Sequence, residues 1–246
     1  MRLAVFDLDF TLIPMCSGEA WVHYLVEKNG MEGSETAARI DRFQSDYDQG
    51  RLDLADFMDF QMTFLAQFRR ADLDAWRAAC FEERLLPFIP EASRELVAGY
   101  NRAGHETALC SGTYAYVTQP YAEHFGMHHN FAPNPAVDPV TGEFNGRLAD
   151  APNFGEGKVA RVKAWVERRA REGRPYEAVD AYSDSASDLP LLRYAAGTGG
   201  RAVAANPLPP FAEIARAEGW EIITTFEPEM KAKARACFDV RVSGRS

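Results

Sequence analysis

The stretch LAVFDLDFTL, residues 3–12, places two aspartates directly after a short apolar run. Four consecutive apolar residues, 3–6, are typical of a strand that is buried on both faces of a parallel sheet. The run ends at Asp7 and Asp9 rather than at a turn of Gly or Pro residues. Polar chemistry therefore begins at the carboxyl end of the first predicted strand.

The chain changes to a helical pattern after this strand. Between Pro14 and Pro87 the apolar residues recur near a 3.6-residue period, most clearly over residues 53–68, and no convincing strand pattern is found. We predict a helical cap domain at residues 14–87. The core domain is then formed by residues 1–13 and 88–246.

Strands and helices alternate in the rest of the chain. The predicted strands are residues 107–110, 178–182, 201–205 and 221–225. Helices are predicted before and between them, and Thr141-Gly142 indicates a small hairpin. Such alternation is typical of a parallel sheet with helices on both faces. We therefore predict an α/β fold with a doubly wound, Rossmann-like parallel sheet and an inserted helical cap.

Composition limits the partners of the protein. The 246 residues include 36 Asp and Glu against 27 Lys and Arg, a formal charge of −9, so we expect no nucleic-acid partner. No apolar run approaches the length of a membrane span, and the N-terminal residues do not resemble a signal peptide. The four cysteines show no metal-ligand spacing. We expect a cytoplasmic protein with reduced thiols, and the oligomeric state is left open.

Further polar residues follow the other predicted strands. Ser111 follows the second strand, Asp184 and Asp188 follow the third, and Lys158 opens a helix after the glycine-bearing loop at 155–157. Taken singly, each has a plain structural explanation as a turn former, a helix cap or a solvated lysine. Ligands of doubly wound sheets bind beyond the carboxyl ends of the strands. The joint occurrence of these residues therefore indicates a site.

Four segments resemble, in order and approximate spacing, the motifs of the haloacid dehalogenase superfamily. They are FDLDFTL at 6–12, SGT at 111–113, GEGK at 155–158 and YSDSASDLPLL at 182–192. The helical insert between the first two motifs resembles the phosphoserine-phosphatase-like branch, subfamily IB. The resemblance covers nearly the whole chain. It implies a magnesium-dependent phosphatase that hydrolyses a small phosphate monoester through a phosphoaspartate intermediate.

The resemblance assigns chemical roles to the first and last motifs. Asp7 would be the nucleophile, and Asp9 would be the general acid and base, with its side chain left free. Mg²⁺ would be held by the carboxylates of Asp7 and Asp184 and by the backbone carbonyl of Asp9. Asp188 would orient Lys158 or a metal-bound water.

The remaining matching residues would bind the phosphoryl group. The Lys158 ammonium and the Ser111 hydroxyl would contact its oxygens, and backbone amides around Gly112 would complete the cradle. The Thr11 hydroxyl would steady the loop that carries the two aspartates. The expected partner is a small phosphorylated metabolite.

The cap departs from the phosphoserine phosphatase pattern in two places. The glutamate that receives the substrate amino group falls on Cys16 by an ungapped count, and the nearest acid is Glu19. The arginine that receives the substrate carboxylate falls on Asp59 or a neighbour. Acid in place of arginine favours a substrate with an amine and no carboxylate, such as histidinol phosphate. Glu19 or Asp59 would then lie near its cation.

Other functions stay open at this point. Phosphoserine phosphatase is the first alternative, and a lipid phosphatase or a non-catalytic phospho-acceptor or binding module are further ones. A dehalogenase would have no use for Asp9 or for magnesium, and a phosphomutase would have to protect its acyl phosphate from water. Steady release of phosphate would separate a phosphatase from a mutase.

Overall fold

The computed structural model describes residues 1–48 and 51–238. The strands are β1 (Leu3–Phe6), β2 (Glu106–Cys110), β3 (His129–Phe131), β4 (Pro135–Val137), β5 (Phe144–Leu148), β6 (Val179–Ser183), β7 (Ala202–Ala205) and β8 (Glu221–Ile223). The α-helices are α1 (Ser17–Lys28), α2 (Glu35–Asp48), α3 (Leu54–Leu65), α4 (Arg70–Cys80), α5 (Glu91–Arg102), α6 (Ala115–His124), α7 (Glu156–Arg171), α8 (Leu189–Gly197), α9 (Pro209–Ala217) and α10 (Pro228–Phe238). A π-helical turn covers Phe81–Leu85, and 3₁₀ turns cover Leu86–Phe88 and Ala186–Asp188.

Six strands form one parallel sheet in the order β3-β2-β1-β6-β7-β8. In the centre of this sheet, Phe6 is in register with Leu109 on one side and Tyr182 on the other. The residues that follow these three therefore leave the sheet at the same edge, and they include Asp7 and Ser111. The predicted fold class, a doubly wound α/β sheet, is confirmed.

The edge strand β3 is not predicted from the sequence. Its residues, His129–Phe131, include two polar side chains, and it pairs only with β2. A three-residue polar strand lacks the apolar run that identifies the buried strands. The predicted hairpin is formed by the antiparallel strands β4 and β5, and Gly142 in its connection has a φ of 76° that favours glycine.

Apolar side chains cover both faces of the sheet. On one face, α7, α8 and α9 pack on the sheet around a buried cluster that includes Val5, Val162 and Leu191. On the other face, a larger cluster joins Phe6 of the sheet to Trp21 of α1. This arrangement buries the sheet in the middle layer, as its apolar strands require.

Helices α1 to α4 lie between β1 and β2 in the chain and pack into the larger cluster, which includes Trp21, Phe43 and Phe64. Asp53 precedes helix α3 and caps it, because its carboxylate accepts hydrogen bonds from the amides of the first turn. The β4–β5 hairpin also contacts α3, since a Cβ on Gly146 would lie 3.6 Å from that of Ala66, just beyond its end. The division into a core and a cap at residues 14–87 stays a proposal.

Two further features bear on the environment of the protein. No helix in residues 1–48 and 51–238 combines the length and the apolar character needed to cross a bilayer. All four cysteines are free thiols. Burial raises the pKa of Cys110 to about 12 and that of Cys80 also to about 12, so these two thiols are protonated and unreactive at neutral pH.

Candidate active site

The loop after β1 is held in a strained turn. Phe10 adopts a left-handed conformation with φ of 60°, which is unusual for a bulky residue. The side-chain amide of Asn206 donates hydrogen bonds to the backbone carbonyl oxygens of Phe10, at 3.2 Å, and Thr11, at 2.9 Å. The Thr225 hydroxyl donates to the same Thr11 oxygen at 3.2 Å. Side chains from beyond β7 and β8 therefore fix the loop that carries Asp7 and Asp9.

A buried lysine joins two carboxylates in the floor of the site. Lys158 Nζ donates to Asp7 Oδ1 at 2.8 Å and to Asp188 Oδ2 at 2.7 Å. The Ser183 hydroxyl donates to Asp188 Oδ2 at 2.8 Å. Lys158 lies in the first turn of α7, where the helix dipole disfavours a cation, so the two carboxylates supply the anions that its position requires.

Burial and charge set the protonation of this group. Burial raises the pKa of Asp7 to about 6, although the Lys158 cation lowers it; the Asp188 and Asp9 carboxylates raise it further. Burial alone would lower the pKa of Lys158, but the carboxylates of Asp188 and Asp7 raise it above its ordinary value. Lys158 is therefore a cation at neutral pH.

Thr11 brings a third carboxylate to Asp7. The Thr11 Oγ1 atom lies 3.0 Å from Asp7 Oδ2 and 3.3 Å from Asp184 Oδ1, and it accepts a hydrogen bond from the Asp184 amide at 3.0 Å. Burial raises the pKa of Asp184 well above its ordinary value, and the charges of Asp7 and Asp188 add to the effect. The Asp184 carboxylate thus lies close to Asp7 and Asp188, which share one ammonium, so the cluster favours a further cation.

The residues present fit a divalent cation with oxygen ligands. Across residues 1–48 and 51–238, no three Asp, Glu, His or Cys side chains converge on one candidate metal position. The expected magnesium set needs only two carboxylates, those of Asp7 and Asp184, together with the Asp9 backbone carbonyl. In addition, Asp188 Oδ1 is buried and finds no hydrogen-bond donor among the described residues, as suits an oxygen that faces a hydrated metal.

The loop after β2 is held by hydrogen bonds and by a close aromatic contact. The Asn153 amide, which is fully buried, donates to the Ser111 carbonyl at 2.9 Å, and the Thr113 amide donates to Ser111 Oγ at 3.0 Å. A Cβ on Gly112 would lie 2.1 Å from a ring carbon of Phe154. Glycine is therefore the residue that this approach admits.

Both carboxylate oxygens of Asp9 accept hydrogen bonds from neighbouring segments of the chain. The Ser17 amide donates to Asp9 Oδ1 at 2.7 Å, and the Thr113 hydroxyl donates to Oδ2 at 2.9 Å. Burial raises the pKa of Asp9, and these hydrogen bonds oppose the rise. Asp9 thus joins the first turn of α1 to the Ser111 loop.

The two predicted cap residues lie in different places. Glu19 is in the first turn of α1, with Oε1 3.6 Å from His23 Nε2, and it lines a cavity of about 30 Å³ together with Phe57. Asp59 is exposed and lines a surface groove with Arg39. Because two residues span about 200° around a helix, Asp59 faces away from Phe57. Of the two residues, therefore, Glu19 lies in the helix whose first amide binds Asp9, whereas Asp59 lies on the exposed face of α3.

The chain is similar to known proteins over most of its length. The model of the family described as haloacid dehalogenase-like hydrolase matches residues 4–193. The chain belongs to this family. The match includes the four segments that carry Asp7, Ser111, Lys158 and Asp184.

Relatives within the haloacid dehalogenase-like family include named phosphatases. The chain is 33% identical over 222 residues to a histidinol-phosphatase of Neisseria meningitidis serogroup C (strain 8013), which covers 90% of this chain and 98% of that protein. It is 29% identical over 225 residues to a phosphoserine phosphatase of Mycobacterium tuberculosis (strain ATCC 25618 / H37Rv), covering 89% of this chain and 69% of that protein.

Solved structures share the fold. A protein of unknown function from Bordetella pertussis Tohama I superposes with a TM-score of 0.82 at 34% identity, covering 92% of this chain and 99% of the other. A substrate-bound phosphoserine phosphatase superposes with a TM-score of 0.60 at 16% identity, covering 91% and 92%, which is a likeness of fold alone. The predicted family and the predicted class of enzyme, a haloacid dehalogenase-type phosphatase, are confirmed.

Sequence reasoning missed several residues that support the haloacid dehalogenase site. The Asn153 side chain binds the loop after β2, and the side chains of Asn206 and Thr225 bind the loop after β1. The Thr113 hydroxyl binds Asp9. Asn206 could have been found by the rule used for the other residues, because it directly follows β7. The others lie in loops where Asn and Thr are ordinary turn residues, so the sequence carries no separate signal for them.

Proposed function

We propose that the chain is a magnesium-dependent phosphatase that transfers the phosphoryl group of an amine-bearing monoester, histidinol phosphate, to Asp7 and then to water. The observation that carries the proposal is the buried contact of 2.8 Å between Lys158 Nζ and Asp7 Oδ1, at the edge of the sheet where the Ser111 loop also ends. A cation beside a buried carboxylate is the arrangement that phosphoryl transfer to that carboxylate requires. A cytoplasmic location, where such metabolites are found, is part of the proposal.

In the first half of the reaction, the Asp7 carboxylate attacks phosphorus. The bond between phosphorus and the alcohol oxygen breaks, and its electron pair stays on that oxygen. Protonated Asp9 donates its proton there, so the alcohol leaves neutral and an acyl phosphate forms on Asp7. The raised pKa of Asp9 supports this role, because a buried carboxyl group keeps its proton to a higher pH.

In the second half, a water molecule attacks the phosphorus of the acyl phosphate. Asp9, now a carboxylate, removes a proton from this water, and the bond between phosphorus and the Asp7 oxygen breaks. Inorganic phosphate leaves, and both aspartates return to their starting protonation states. The hydrogen bonds from Ser17 and Thr113 hold Asp9 in one position through both steps.

The other residues neutralise and orient the phosphoryl group. Lys158, held by Asp7 and Asp188, and the Ser111 hydroxyl bind its oxygens, and Thr11 fixes the second Asp7 oxygen. A magnesium ion bound by Asp7, Asp184 and the Asp9 carbonyl would reduce the repulsion between the carboxylate and the anionic ester.

The side chains around a small cavity at the first turn of α1 support the choice of substrate. Its volume of about 30 Å³ is bounded mainly by apolar and aromatic side chains, such as Phe43 and Phe57, with Glu19 as its charged member among the described residues. Cys16, which also lines it, precedes the residue whose amide binds Asp9. Histidinol phosphate carries an ammonium and an imidazole and no carboxylate, which suits an acidic, aromatic environment.

The direct test is phosphate release from histidinol phosphate, phosphoserine and p-nitrophenyl phosphate with Mg²⁺ and with EDTA. We expect the kcat/KM for histidinol phosphate to exceed that for phosphoserine by about tenfold or more. The carboxylate of phosphoserine would lie near the Glu19 carboxylate without a cationic partner. Asp7→Asn should abolish release from all three esters, and Asp72→Asn, an equal change at an exposed position, should preserve it.

Three results would contradict the proposal. Equal or faster turnover of phosphoserine would overturn the choice of substrate and favour the phosphoserine phosphatase alternative. Silence toward all three esters with Mg²⁺ would favour a non-catalytic binding module. Undiminished release by Asp7→Asn would remove Asp7 as the nucleophile.

A further inference from the structure

Gln61 of α3 has a buried amide oxygen without a hydrogen-bond donor. The residue is 3% exposed, and Oε1 finds no donor within the described part of the chain. Burying such an acceptor without a partner destabilises the fold, so native structures rarely leave one unsatisfied. Its place in the fold therefore needs a reason beyond packing.

The amide oxygen lies close to the group that holds Asp9. A Cβ built on Gly18 would be 3.4 Å from Gln61 Oε1 and 3.3 Å from the Thr113 hydroxyl. That hydroxyl donates to Asp9 at 2.9 Å. A side chain on Gly18 would be in close contact with both atoms, so glycine lets α1 pack closely against Gln61 and against the Thr113 hydroxyl that binds Asp9.

We propose that Gln61 Oε1 accepts a hydrogen bond from the ammonium group of the substrate. The inference rests on the proposed function and deepens it, because it names the residue that recognises the amine. In a phosphate ester of a 2-amino alcohol, the ammonium is on the carbon next to the ester carbon. An acceptor beside Asp9, which protonates the ester oxygen, is thus within reach of that ammonium.

A neutral acceptor suits this position. The carboxyl groups of Asp9, Asp7 and Asp184 already lie in the same site. A further charge beside them would add repulsion, whereas an amide oxygen binds an ammonium without it. The primary ammonium would satisfy Oε1, which has no donor in the described structure.

The test compares 2-aminoethyl phosphate with ethyl phosphate, two esters that differ in the amine alone. We expect the wild-type enzyme to prefer the amine by about 10- to 100-fold in kcat/KM, the value of a hydrogen bond to a charged group. Gln61→Met keeps the length of the side chain and removes the acceptor, so the preference should fall to near unity. Gln61→Glu keeps an acceptor oxygen and should preserve the preference for the amine, although its added charge should lower kcat/KM for both esters.

The control is Gln67→Met, the same change at an exposed residue beyond the end of α3, and it should leave the preference unchanged. An unchanged preference in Gln61→Met, or equal loss toward both ethyl esters, would overturn the inference. In either case phosphate release by wild type would leave the phosphatase assignment standing, so the two failures are distinguishable.

Discussion

Lys158 Nζ lies 2.8 Å from Asp7 Oδ1, although 151 residues separate the two in the chain. Both side chains are buried, with exposed fractions of 5% and 10%. A buried ion pair is stable only when its remaining charges and hydrogen-bonding groups are satisfied, and here Asp188 and Thr11 complete the set. The contact therefore links the architecture of the sheet edge to the chemistry of the nucleophile.

Removal of the lysine should affect both activity and stability. In Lys158→Met, Asp7 and Asp188 lose their shared cation, so we expect kcat/KM to fall by about 10²–10³-fold or more. The free energy of unfolding should fall by about 3–5 kcal/mol, the usual cost of breaking a buried ion pair. Kinetics with p-nitrophenyl phosphate and urea unfolding measure the two effects. The control is Lys163→Met, because Lys163 is an exposed residue of the same helix. Near-wild-type kinetics in Lys158→Met would refute the role of Lys158 in binding the phosphoryl group.

Asp184→Asn should stabilise the metal-free protein. A carboxyl group whose pKa is higher in the folded than in the unfolded state contributes stability below its unfolded pKa, and this contribution is lost as pH rises through the folded value. The pKa of Asp184 is raised well above 3.8, so the ionised Asp184 carboxylate lowers the free energy of unfolding at neutral pH. With EDTA, we expect the variant to have the higher Tm at neutral pH and the difference to shrink on acidification. Mg²⁺ should raise the Tm of wild type only, and an equal rise in the variant would exclude Asp184 as a ligand.

Binding of Mg²⁺ should release protons. The pKa of Asp7 is raised from 3.8 to about 6 in the metal-free protein, and the metal requires the carboxylate. As pH falls through about 6, the apparent affinity should decrease by up to about tenfold per pH unit, and above that range Asp7 contributes no further dependence. Calorimetric titrations in buffers of different ionisation enthalpy measure the released protons. A binding constant independent of pH would contradict the prediction.

Gly112→Ala should disturb the Ser111 loop through Phe154. The new Cβ would lie 2.1 Å from a ring carbon, so the ring or the loop must move. We expect a loss of about 1–3 kcal/mol in stability, typical of overpacking, together with a lower kcat/KM. The double variant Gly112→Ala, Phe154→Ala removes the clash and should recover part of the activity relative to Gly112→Ala. No difference between the single and double variants would show that the aromatic contact is unimportant.

The sequence predicted the parts of the site that follow from simple strand patterns. Residues directly after buried parallel strands, such as Asp7, Ser111 and Asp184, meet at one edge because the strands are in register. Lys158 was predicted by its motif, and its need for nearby anions followed from its place in the first turn of a helix. Local rules sufficed for these residues because each is tied to the end of a regular element.

The positions of side chains on α1 to α4 could not be predicted as well, because they depend on the rotation of each helix about its axis. Asp59 and Gln61 are only two residues apart, and the sequence pattern does not distinguish them. In the structure, however, Asp59 is exposed, whereas Gln61 is buried with only 3% of its surface exposed. Likewise, the partners of Asp9 come from α1 and from the Ser111 loop, contacts that no local pattern encodes. The short polar strand β3 was missed because edge strands need no apolar run.

The central claim is that Asp7 carries the phosphoryl group. The most direct measurement is to mix the enzyme with substrate and Mg²⁺, stop the reaction in acid, reduce acyl phosphates with borohydride and map the modified residue by mass spectrometry. We predict modification at Asp7 in the wild-type enzyme, and none at residue 7 in Asp7→Asn. Modification of another residue, or phosphate release by wild type with no acyl phosphate at Asp7 even when turnover is slowed by Asp9→Asn, would contradict the account.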